Sequence, residues 1–408
     1  MTELRNTVLR KEYIRKLDTG RDRTDFAKVV TGIRRSGKST LMKQYMEHLR
    51  ESGVGGDRIF YINMEAEENL GIADYRELQE IIKENIRKDV RTYVFLDEVQ
   101  RIKGWEMNLN ALMESYDADV YITGSNAYLL SSELSTYISG RYVEIGMLPL
   151  SFSEYLELHP SFKTEGDAFA SYLRYGALPL IDPKADTDLN NDLLEGIYNT
   201  ILVKDVLSRL DLRSPRVLEK IMRFLYSNVG NLTNVSTIAE HLGISPTTAG
   251  KYMKALEDAY IIYGAERYDV RGKKILNSVE KYYAADTGMR NAVTGWSEED
   301  LWKLLENSVY LELRRRGYNV KVGSFKDAEI DFTAFKGDDV EYYQVTITML
   351  PDEVSEREIR ALNMAKDNYP KTILSLDEFK VPTGNGIKHL NLIDWLLGRD
   401  RSAGRFRC

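Results

Sequence analysis

Short apolar runs alternate with helically spaced apolar positions along the first third of this 408-residue chain. The segments FAKVVTGI (26–33), RTYVFLDEVQ (91–100) and ADVYITGSNA (118–127) each contain an apolar run of the kind that forms a buried strand. After the first of them, STLMKQYMEHLR (39–50) repeats its apolar residues at helical spacing. This alternation predicts an α/β domain, which we place at residues 1–150.

The pattern changes at about residue 151, where amphipathic helices replace the strands and predict a helical connector over residues 151–210. Residues 211–285 then contain a helix, a short helix ending at Gly243, a longer helix and a hairpin, which is the outline of a winged-helix domain. A helix followed by strands over residues 286–400 predicts a small α/β domain. The basic residues 401–408 are predicted to form a flexible tail.

The stretch TGIRRSGKST contains the pattern Gly-x-x-x-x-Gly-Lys-Ser between a predicted strand and a predicted helix. Glycines let backbone N–H groups turn toward phosphate oxygens, Lys38 reaches the β- and γ-phosphates, and the Ser39 hydroxyl is a magnesium ligand. The strand–loop–helix context directs a helix N-terminus at the anion. The predicted nucleotide-binding residues are Gly32, Arg34, Arg35, Ser36, Gly37, Lys38, Ser39 and Thr40.

Two carboxylates close the second predicted strand. Asp97 is placed to hold magnesium through water, and Glu98 is placed to polarise a hydrolytic water as a general base. The third strand ends in Thr123, Ser125 and Asn126. These polar groups either reach the attacking water or the γ-phosphate, or they cap a helix.

Arginines are the remaining candidates at a phosphate site. Arg141 lies between a glycine and an apolar strand. An arginine there can stabilise charge on a transferring phosphoryl group, either of its own chain or of a neighbouring one. Arg34 and Arg35, inside the glycine loop, are the alternatives, and the sequence leaves the choice open.

The segments GIRRSGKST, YVFLDEVQRIKGWE, YITGSNAYLL and SGRYVEIGMLPLSFSEY, in this order and spacing, resemble a family of bacterial and archaeal AAA-type ATPases. In that family a P-loop ATPase core precedes a C-terminal domain related to restriction endonucleases. The resemblance implies a parallel sheet in which the strand of Asp97 and Glu98 lies beside a polar-tipped sensor strand, and it implies ATP as the nucleotide. It also implies that Asn126 or Ser125 is the sensor and that Arg141 is a finger-like arginine.

Composition narrows the classes of partner. The net charge of −7 gives no global attraction to nucleic acid, so contact with DNA would need a local basic patch. No apolar stretch approaches the roughly eighteen residues of a membrane span, and the first residues lack the pattern of a signal peptide. With a single cysteine, Cys408, we expect a reducing, cytoplasmic environment. The four histidines are far apart in sequence, so we expect no metal site built on them.

A local basic patch does occur in the winged-helix region. The predicted recognition helix offers only Thr247, Thr248 and Lys251 for base contacts, which disfavours sequence reading. The hairpin after it is richer in cations, namely Arg267, Arg271, Lys273, Lys274 and Lys281. Two hypotheses stay open at this point, weak contact with the DNA backbone and packing against protein. A homo-oligomer or another protein partner is also compatible with the sequence.

The last third resembles the restriction-endonuclease fold, with Glu306 on a helix, Asp331 on a strand and a polar pair on the next strand. Active members hold magnesium with carboxylates and steady the attacking hydroxide with a lysine. Here Gln344 and Thr346 stand where Glu and Lys are expected, so two charged groups are lost. We therefore expect a nuclease-like scaffold without cleavage. The lysines that would have to compensate in an active enzyme are Lys321 and Lys336.

The sequence thus predicts a magnesium-dependent ATPase in which ATP hydrolysis repositions the winged-helix and nuclease-like domains. A different class is the alternative: a nucleotide-gated switch or adaptor that hydrolyses ATP rarely and presents its C-terminal half to a protein or DNA. A third hypothesis is a DNA nuclease licensed by ATP.

Overall fold

The structure is a computed structural model. The residues that it describes are 7–127, 140–209, 214–325 and 328–400. The chain divides into two compact units, Met1–Pro149 with Asp258–Tyr260 and Leu150–Glu257 with Ile261–Cys408. Within the described residues, no helix has both the length and the apolar character needed to cross a membrane.

The first unit is built around a five-stranded parallel sheet with the strand order β2-β3-β4-β1-β5. Its described strands are β1 Ala27–Thr31, β2 Ile59–Asn63, β3 Thr92–Asp97, β4 Ala118–Gly124 and β5 Tyr142–Gly146. Its described α-helices are α1 Lys11–Thr19, α2 Lys38–Glu51, α3 Tyr75–Asn85 and α4 Trp105–Ser115.

The central strands of this sheet are buried on both faces, since every residue of β1, β3 and β4 is buried. Alternate side chains of a strand point to opposite faces. Val29 therefore joins the apolar layer of α3 and α4, while Val30 joins the layer of α1 and α2. Parallel sheets need such cover on both faces. The predicted α/β domain with a parallel sheet is confirmed.

The second unit begins with helices and continues with a mixture of helices and strands. Its α-helices are α5 Phe152–Leu158, α6 Glu165–Tyr175, α7 Thr187–Thr200, α8 Pro215–Ser227, α9 Val235–Leu242, α10 Pro246–Asp258, α11 Thr287–Thr294, α12 Leu301–Arg315, α13 Asp352–Asn363 and α14 Leu392–Leu396. A π-helical segment, Ile201–Val206, continues α7. Its strands are β6 Leu232–Thr233, β7 Ile262–Asp269, β8 Lys274–Ala284, β9 Asn319–Ser324, β10 Glu329–Lys336, β11 Asp339–Val345, β12 Lys371–Ser375 and β13 Lys388–Asn391.

The strands of the second unit form one eight-stranded sheet, β13-β12-β11-β10-β9-β7-β8-β6. This differs from the sequence prediction, which divided the region into domains 211–285 and 286–400. Strand β7 of the hairpin pairs in parallel with β9, with Arg267 opposite Val322. The pairing satisfies backbone groups that a two-stranded hairpin would leave exposed at its edge. Periodicity along the chain identifies strands but not such long-range partners.

Candidate nucleotide-binding site

The glycine loop lies between β1 and α2 and places two glycines in the left-handed region of backbone space. Gly32 has φ 141°, and a Cβ at this position would lie 2.1 Å from the Met147 carbonyl oxygen. Gly37 has φ 98° and caps the N-terminus of α2. Only glycine adopts the first geometry without a clash. The loop thus has the bare backbone that the sequence pattern predicts, directly before a helix N-terminus.

Some side chains of the loop are buried and others are exposed. Lys38 is buried, and its ammonium donates to the carbonyl oxygens of Gly32 at 2.9 Å and Ile33 at 3.1 Å. Ser36 is also buried, and its hydroxyl has no hydrogen-bond partner among the described residues. Arg35 is exposed and has φ 68°. An orphaned buried hydroxyl is costly, and a ligand is one of the few explanations for it.

Arg10, which the sequence analysis missed, fastens this loop to the rest of the unit. It is buried, and its Nη1 donates to the Ser36 carbonyl at 3.2 Å while Nη2 donates to the Leu148 carbonyl at 2.8 Å. Its backbone N–H donates to Gln44 on α2. A single guanidinium therefore connects the residues before α1, the glycine loop and the segment after β5. Nothing in the sequence around Arg10 distinguishes it from the other basic residues there.

The carboxyl ends of β3 and β4 meet beside the glycine loop, because β4 lies between β1 and β3 in the sheet. Asp97, at the end of β3, is fully buried and accepts hydrogen bonds from Thr123 and from Tyr61, the latter at 3.0 Å. Ser39 of the glycine loop is a further hydroxyl near this carboxylate. Burial raises the pKa of Asp97 above its usual range, and the hydrogen bond from Thr123 opposes that rise.

Glu98 follows in a left-handed conformation with φ 56°. Its backbone N–H donates to Thr123 Oγ1 at 2.9 Å, and its carboxylate accepts from Gln100 and, at 3.5 Å, from Ser125. Ser125 and Asn126 are buried immediately after β4, whose Gly124 is in register with Thr31 at the start of the glycine loop. The structure thus brings together the predicted loop, acidic pair and polar sensor residues.

The arginine candidates lie in different places. Arg34 is partly buried, and its Nη1 lies 3.7 Å from a carboxylate oxygen of Glu65. Arg141 precedes β5 at the amino-terminal edge of the sheet, one strand length of roughly 16 Å from the glycine loop at the opposite edge. Its guanidinium contacts Asn110 and Glu114 of α4. Parallel register thus excludes Arg141 as a finger for the nucleotide of its own chain. The action of Arg141 on a neighbouring chain stays a prediction.

Comparison with known proteins agrees with this geometry. Residues 24–156 match the family described as AAA domain, and residues 166–300 match a domain of unknown function (DUF8612). An uncharacterized protein of Haemophilus influenzae is 37% identical over 399 residues, which cover 96% of this chain and 98% of the relative. Uncharacterized protein MJ1544 of Methanocaldococcus jannaschii is 30% identical over 358 residues, covering 83% of this chain and 78% of the relative.

The chain belongs to the same family as these two uncharacterized proteins, and its residues 24–156 form an AAA domain. The AAA-type part of the resemblance seen in the sequence is confirmed, whereas the winged helix and the nuclease-like domain stay predictions. A solved structure of the Aeropyrum pernix ORC1 protein in complex with DNA covers 71% of this chain and 93% of that chain, at 12% identity and a TM-score of 0.33. A TM-score this low does not establish a shared fold or function.

The acidic residues named from the nuclease resemblance lie close together in the second unit. Glu306 on α12 and Asp331 on β10 line a cavity of about 930 Å³ together with Gln344 on β11. Gln344 Oε1 accepts from the Asp331 backbone N–H at 2.7 Å, and its Nε2 donates to Glu358 at 2.6 Å. Glu358, on α13, is a further acidic residue of this group that the sequence analysis missed.

Lys281 on β8 is the cation beside Glu306, Glu329 and Asp331, and the sequence analysis did not name it as a candidate for this role. Its Nζ lies 2.9 Å from Glu306, 2.7 Å from Glu329 and 3.9 Å from Asp331. Burial by itself would lower the pKa of Lys281, but these three carboxylates raise it above its usual range. Burial raises the pKa of Asp331, and Glu306 raises it further.

The two lysines named as candidates lie elsewhere. Lys321 pairs with Glu266, and Lys336 donates to the Arg316 carbonyl at 2.7 Å. Within the described ranges, no three or more His, Cys, Asp or Glu side chains are arranged to hold a metal ion. The cavity therefore contains several acidic residues with an ammonium among them.

Fewer cations of the β7–β8 hairpin are exposed than the sequence suggests. Lys281 is buried in the acidic cavity, and Arg267 is half-buried, with Nη2 donating to Ser324 Oγ at 2.6 Å. Arg271, Lys273 and Lys274 are exposed around the β7–β8 turn. Of the five hairpin cations that the sequence analysis named, these three are exposed.

Proposed function

We propose that this protein is a magnesium-dependent ATPase whose nucleotide state alters the disposition of its C-terminal half. The observation that carries the proposal is that the parallel sheet brings Asp97 and Glu98 to the same edge as the glycine loop with Ser39. A hydroxyl and a carboxylate from these two segments are the protein ligands that a magnesium–nucleotide complex requires. The AAA domain matched by residues 24–156 supports ATP as the nucleotide.

Each side chain has a separate role in this proposal. Lys38 and the backbone N–H groups before α2 bind the phosphates. Ser39 and Asp97 would hold the magnesium ion, which when bound neutralises phosphate charge. Glu98 accepts the proton of the attacking water, and Ser125 and Asn126 orient that water or the γ-phosphate.

The donor set fits such an ion. Asp97 is buried, yet the described residues offer it hydroxyl donors only, from Thr123, Tyr61 and Ser39. A buried carboxylate without a cationic partner is unfavourable, so a bound cation would relieve its desolvation. Magnesium commonly uses one or two protein ligands and completes its coordination with phosphate oxygens and water.

For the C-terminal half we propose a winged helix over residues 215–284, because α8, β6, α9, α10 and the β7–β8 hairpin follow in the order of that motif. We also propose that the region after it is a nuclease-like scaffold without cleavage. Gln344 and Thr346 stand where a second carboxylate and the lysine would be needed, so two charged groups are absent from that strand. Arg10 gives nucleotide state a route to this half, since it bonds both to the glycine loop and to Leu148, shortly before the second unit begins.

DNA is the partner that we propose for the hairpin. The exposed cations Arg271, Lys273 and Lys274 at the β7–β8 turn suit contact with phosphates rather than with base edges. The expected contact is weak, insensitive to sequence and reduced by salt.

ATP turnover by the wild type and by Glu98→Gln tests the ATPase, with Glu84→Gln, an exposed position on α3, as the matched control. We expect Glu98→Gln to bind ATP as the wild type does and to hydrolyse it roughly 10²-fold or more slowly. Titration calorimetry with and without EDTA tests the magnesium dependence. Equally negligible turnover by wild type and Glu98→Gln would favour the switch instead, and no ATP binding by the wild type would refute both functions.

The same assay at low salt tests the DNA partner. Duplex DNA should stimulate turnover by the wild type, and the combined change of Arg271, Lys273 and Lys274 to alanine should abolish the stimulation without changing basal turnover. Stimulation that survives this change would refute the assignment of the hairpin.

A further inference from the structure

Gln100 lies two residues after Glu98 and contacts its carboxylate. The Gln100 Nε2 donates to Glu98 Oε2, and it also lies 3.5 Å from the Ser125 hydroxyl. Ser125 in turn donates to the same Oε2 of Glu98 at 3.5 Å. The three side chains form a closed set that joins the end of β3 to the end of β4.

This arrangement distinguishes the two oxygens of the Glu98 carboxylate. Both donors that the described residues supply face Oε2. The backbone of Glu98 is fixed as well, because its N–H donates to Thr123 and its φ is 56°. With Oε2 engaged and the backbone held, Oε1 is the oxygen available to accept a proton from water.

The contacts of Gln100 cost stability. Its carbonyl Oε1 is buried and has no hydrogen-bond partner in the described part of the chain. An unsatisfied buried acceptor and a left-handed residue other than glycine each destabilise the folded state. An apolar side chain at position 100 would remove the first cost. Such costs persist at sites where geometry serves function.

We propose that Gln100 is a positioning residue that holds the Glu98 carboxylate in its catalytic orientation. The proposal rests on the ATPase function proposed above. In the step concerned, the water oxygen bonds to the γ-phosphorus while its proton passes to Glu98 Oε1. The bond from that phosphorus to the β–γ bridging oxygen breaks, and ADP leaves with the electron pair. Gln100 donates its hydrogen bond throughout and transfers no proton.

The test is Gln100→Met, which keeps the length of the side chain and removes the donor. Gln79→Met, at a half-buried glutamine on α3, is the matched control. We expect Gln100→Met to lower kcat roughly ten- to a hundredfold, since misplacement of a catalytic group by about 1 Å has effects of this size. The dissociation constant for ATP, measured by calorimetry, should change less than about threefold, because Glu98 binds no phosphate. Gln100→Glu, which has the same length and no amide donor, should lose activity similarly even if Gln100→Met folds poorly.

The double variant Glu98→Gln with Gln100→Met separates positioning from a structural role. A residue that acts only through Glu98 adds nothing once Glu98 is replaced, so the double variant should hydrolyse ATP as slowly as Glu98→Gln alone. Unchanged kcat in Gln100→Met, or a parallel loss of ATP affinity and thermal stability, would overturn the assignment. Failure of the ATPase function itself has another signature, namely Glu98→Gln turning over ATP at the wild-type rate.

Discussion

Replacement of Lys281 by methionine would show whether this ammonium balances the charge of the acidic cavity. Lys281 and Glu306 are both almost fully buried, with side-chain exposures of 5% and 6%. Glu329 and Asp331 are the other carboxylates within 4 Å of the ammonium. Methionine retains an unbranched apolar chain and removes the charge, so the variant leaves these carboxylates without their cation.

The expected cost follows from the charges that remain. Removing one partner of a buried ion pair costs about 3–5 kcal/mol, because the other charge stays buried. Burial already raises the pKa of Asp331, and Lys281 opposes that rise. Without Lys281, one further carboxyl group of the cavity must bind a proton on folding. Keeping a carboxyl group protonated costs ~1.4 kcal/mol for each pH unit above its unfolded pKa of about 4. The loss of unfolding free energy in the variant is therefore limited to ~5.5 kcal/mol near pH 8 and to ~2 kcal/mol near pH 5.5.

The sign of the pH dependence is therefore fixed. A carboxyl group whose pKa is raised in the folded state stabilises the fold below its unfolded pKa, and this contribution is lost as pH rises through the folded pKa. The variant should lie closest to the wild type in acid and fall further below it toward alkaline pH.

Denaturant unfolding followed by tryptophan fluorescence measures this difference, because three of the four tryptophans, Trp296, Trp302 and Trp395, lie in the second unit. Lys220→Met, at an exposed position on α8, is the control and should change the free energy of unfolding by less than about 0.5 kcal/mol. A loss of equal size near pH 5.5 and pH 8 would mean that the methylene packing of Lys281 matters rather than its charge. No loss at either pH would refute the reasoning outright.

Two further predictions concern single buried side chains. Arg10→Ala should raise the dissociation constant for ATP at least roughly tenfold, because Arg10 donates to the Ser36 carbonyl of the glycine loop and a hydrogen bond from a charged donor contributes about 1.5–3 kcal/mol. The control Arg15→Ala, at an exposed position on α1, should bind ATP like the wild type, and equal affinity of the two variants would contradict the role of Arg10. Burial lowers the pKa of His389, so its contribution to the stability of the fold is present above the unfolded pKa of about 6.5 and is lost as pH falls. The difference in unfolding free energy between the wild type and His389→Gln should therefore shrink from about pH 7 to pH 5. A difference that stays constant over this range would contradict the prediction.

The sequence predicts that the glycine loop and the acidic pair lie close together because both are local patterns. The glycine loop needs backbone freedom at Gly32 and Gly37, and the acidic pair needs a buried strand before it, so both are readable within ten residues. Parallel strands then bring their carboxyl ends to one edge, which places Asp97 beside Ser39. All strands of a parallel sheet end at the same edge, so this prediction does not require knowing which strands are neighbours.

The sequence analysis missed residues whose roles depend on contacts distant in the chain. Arg10 reaches Leu148 across 138 positions, and Lys281 on β8 reaches Glu306 on helix α12. Arg141 was assigned from its surroundings in the sequence, but the register of β5 with β1 determines at which edge of the sheet it lies. In each case composition and periodicity leave the partner undefined, since many basic residues have similar neighbours.

The two acidic groups of this chain differ in what neutralises them, and this difference indicates where a divalent ion could act. The described residues supply Asp97 and Glu98 with neutral donors, the hydroxyls and amide of Thr123, Ser125 and Gln100 among them. The acidic cavity of the second unit already holds the ammonium of Lys281 against its carboxylates. A divalent ion entering that cavity would compete with this buried ammonium for the same carboxylates. We therefore expect a divalent ion to act at the glycine-loop site, and we propose that the second unit responds to that chemistry rather than performing its own.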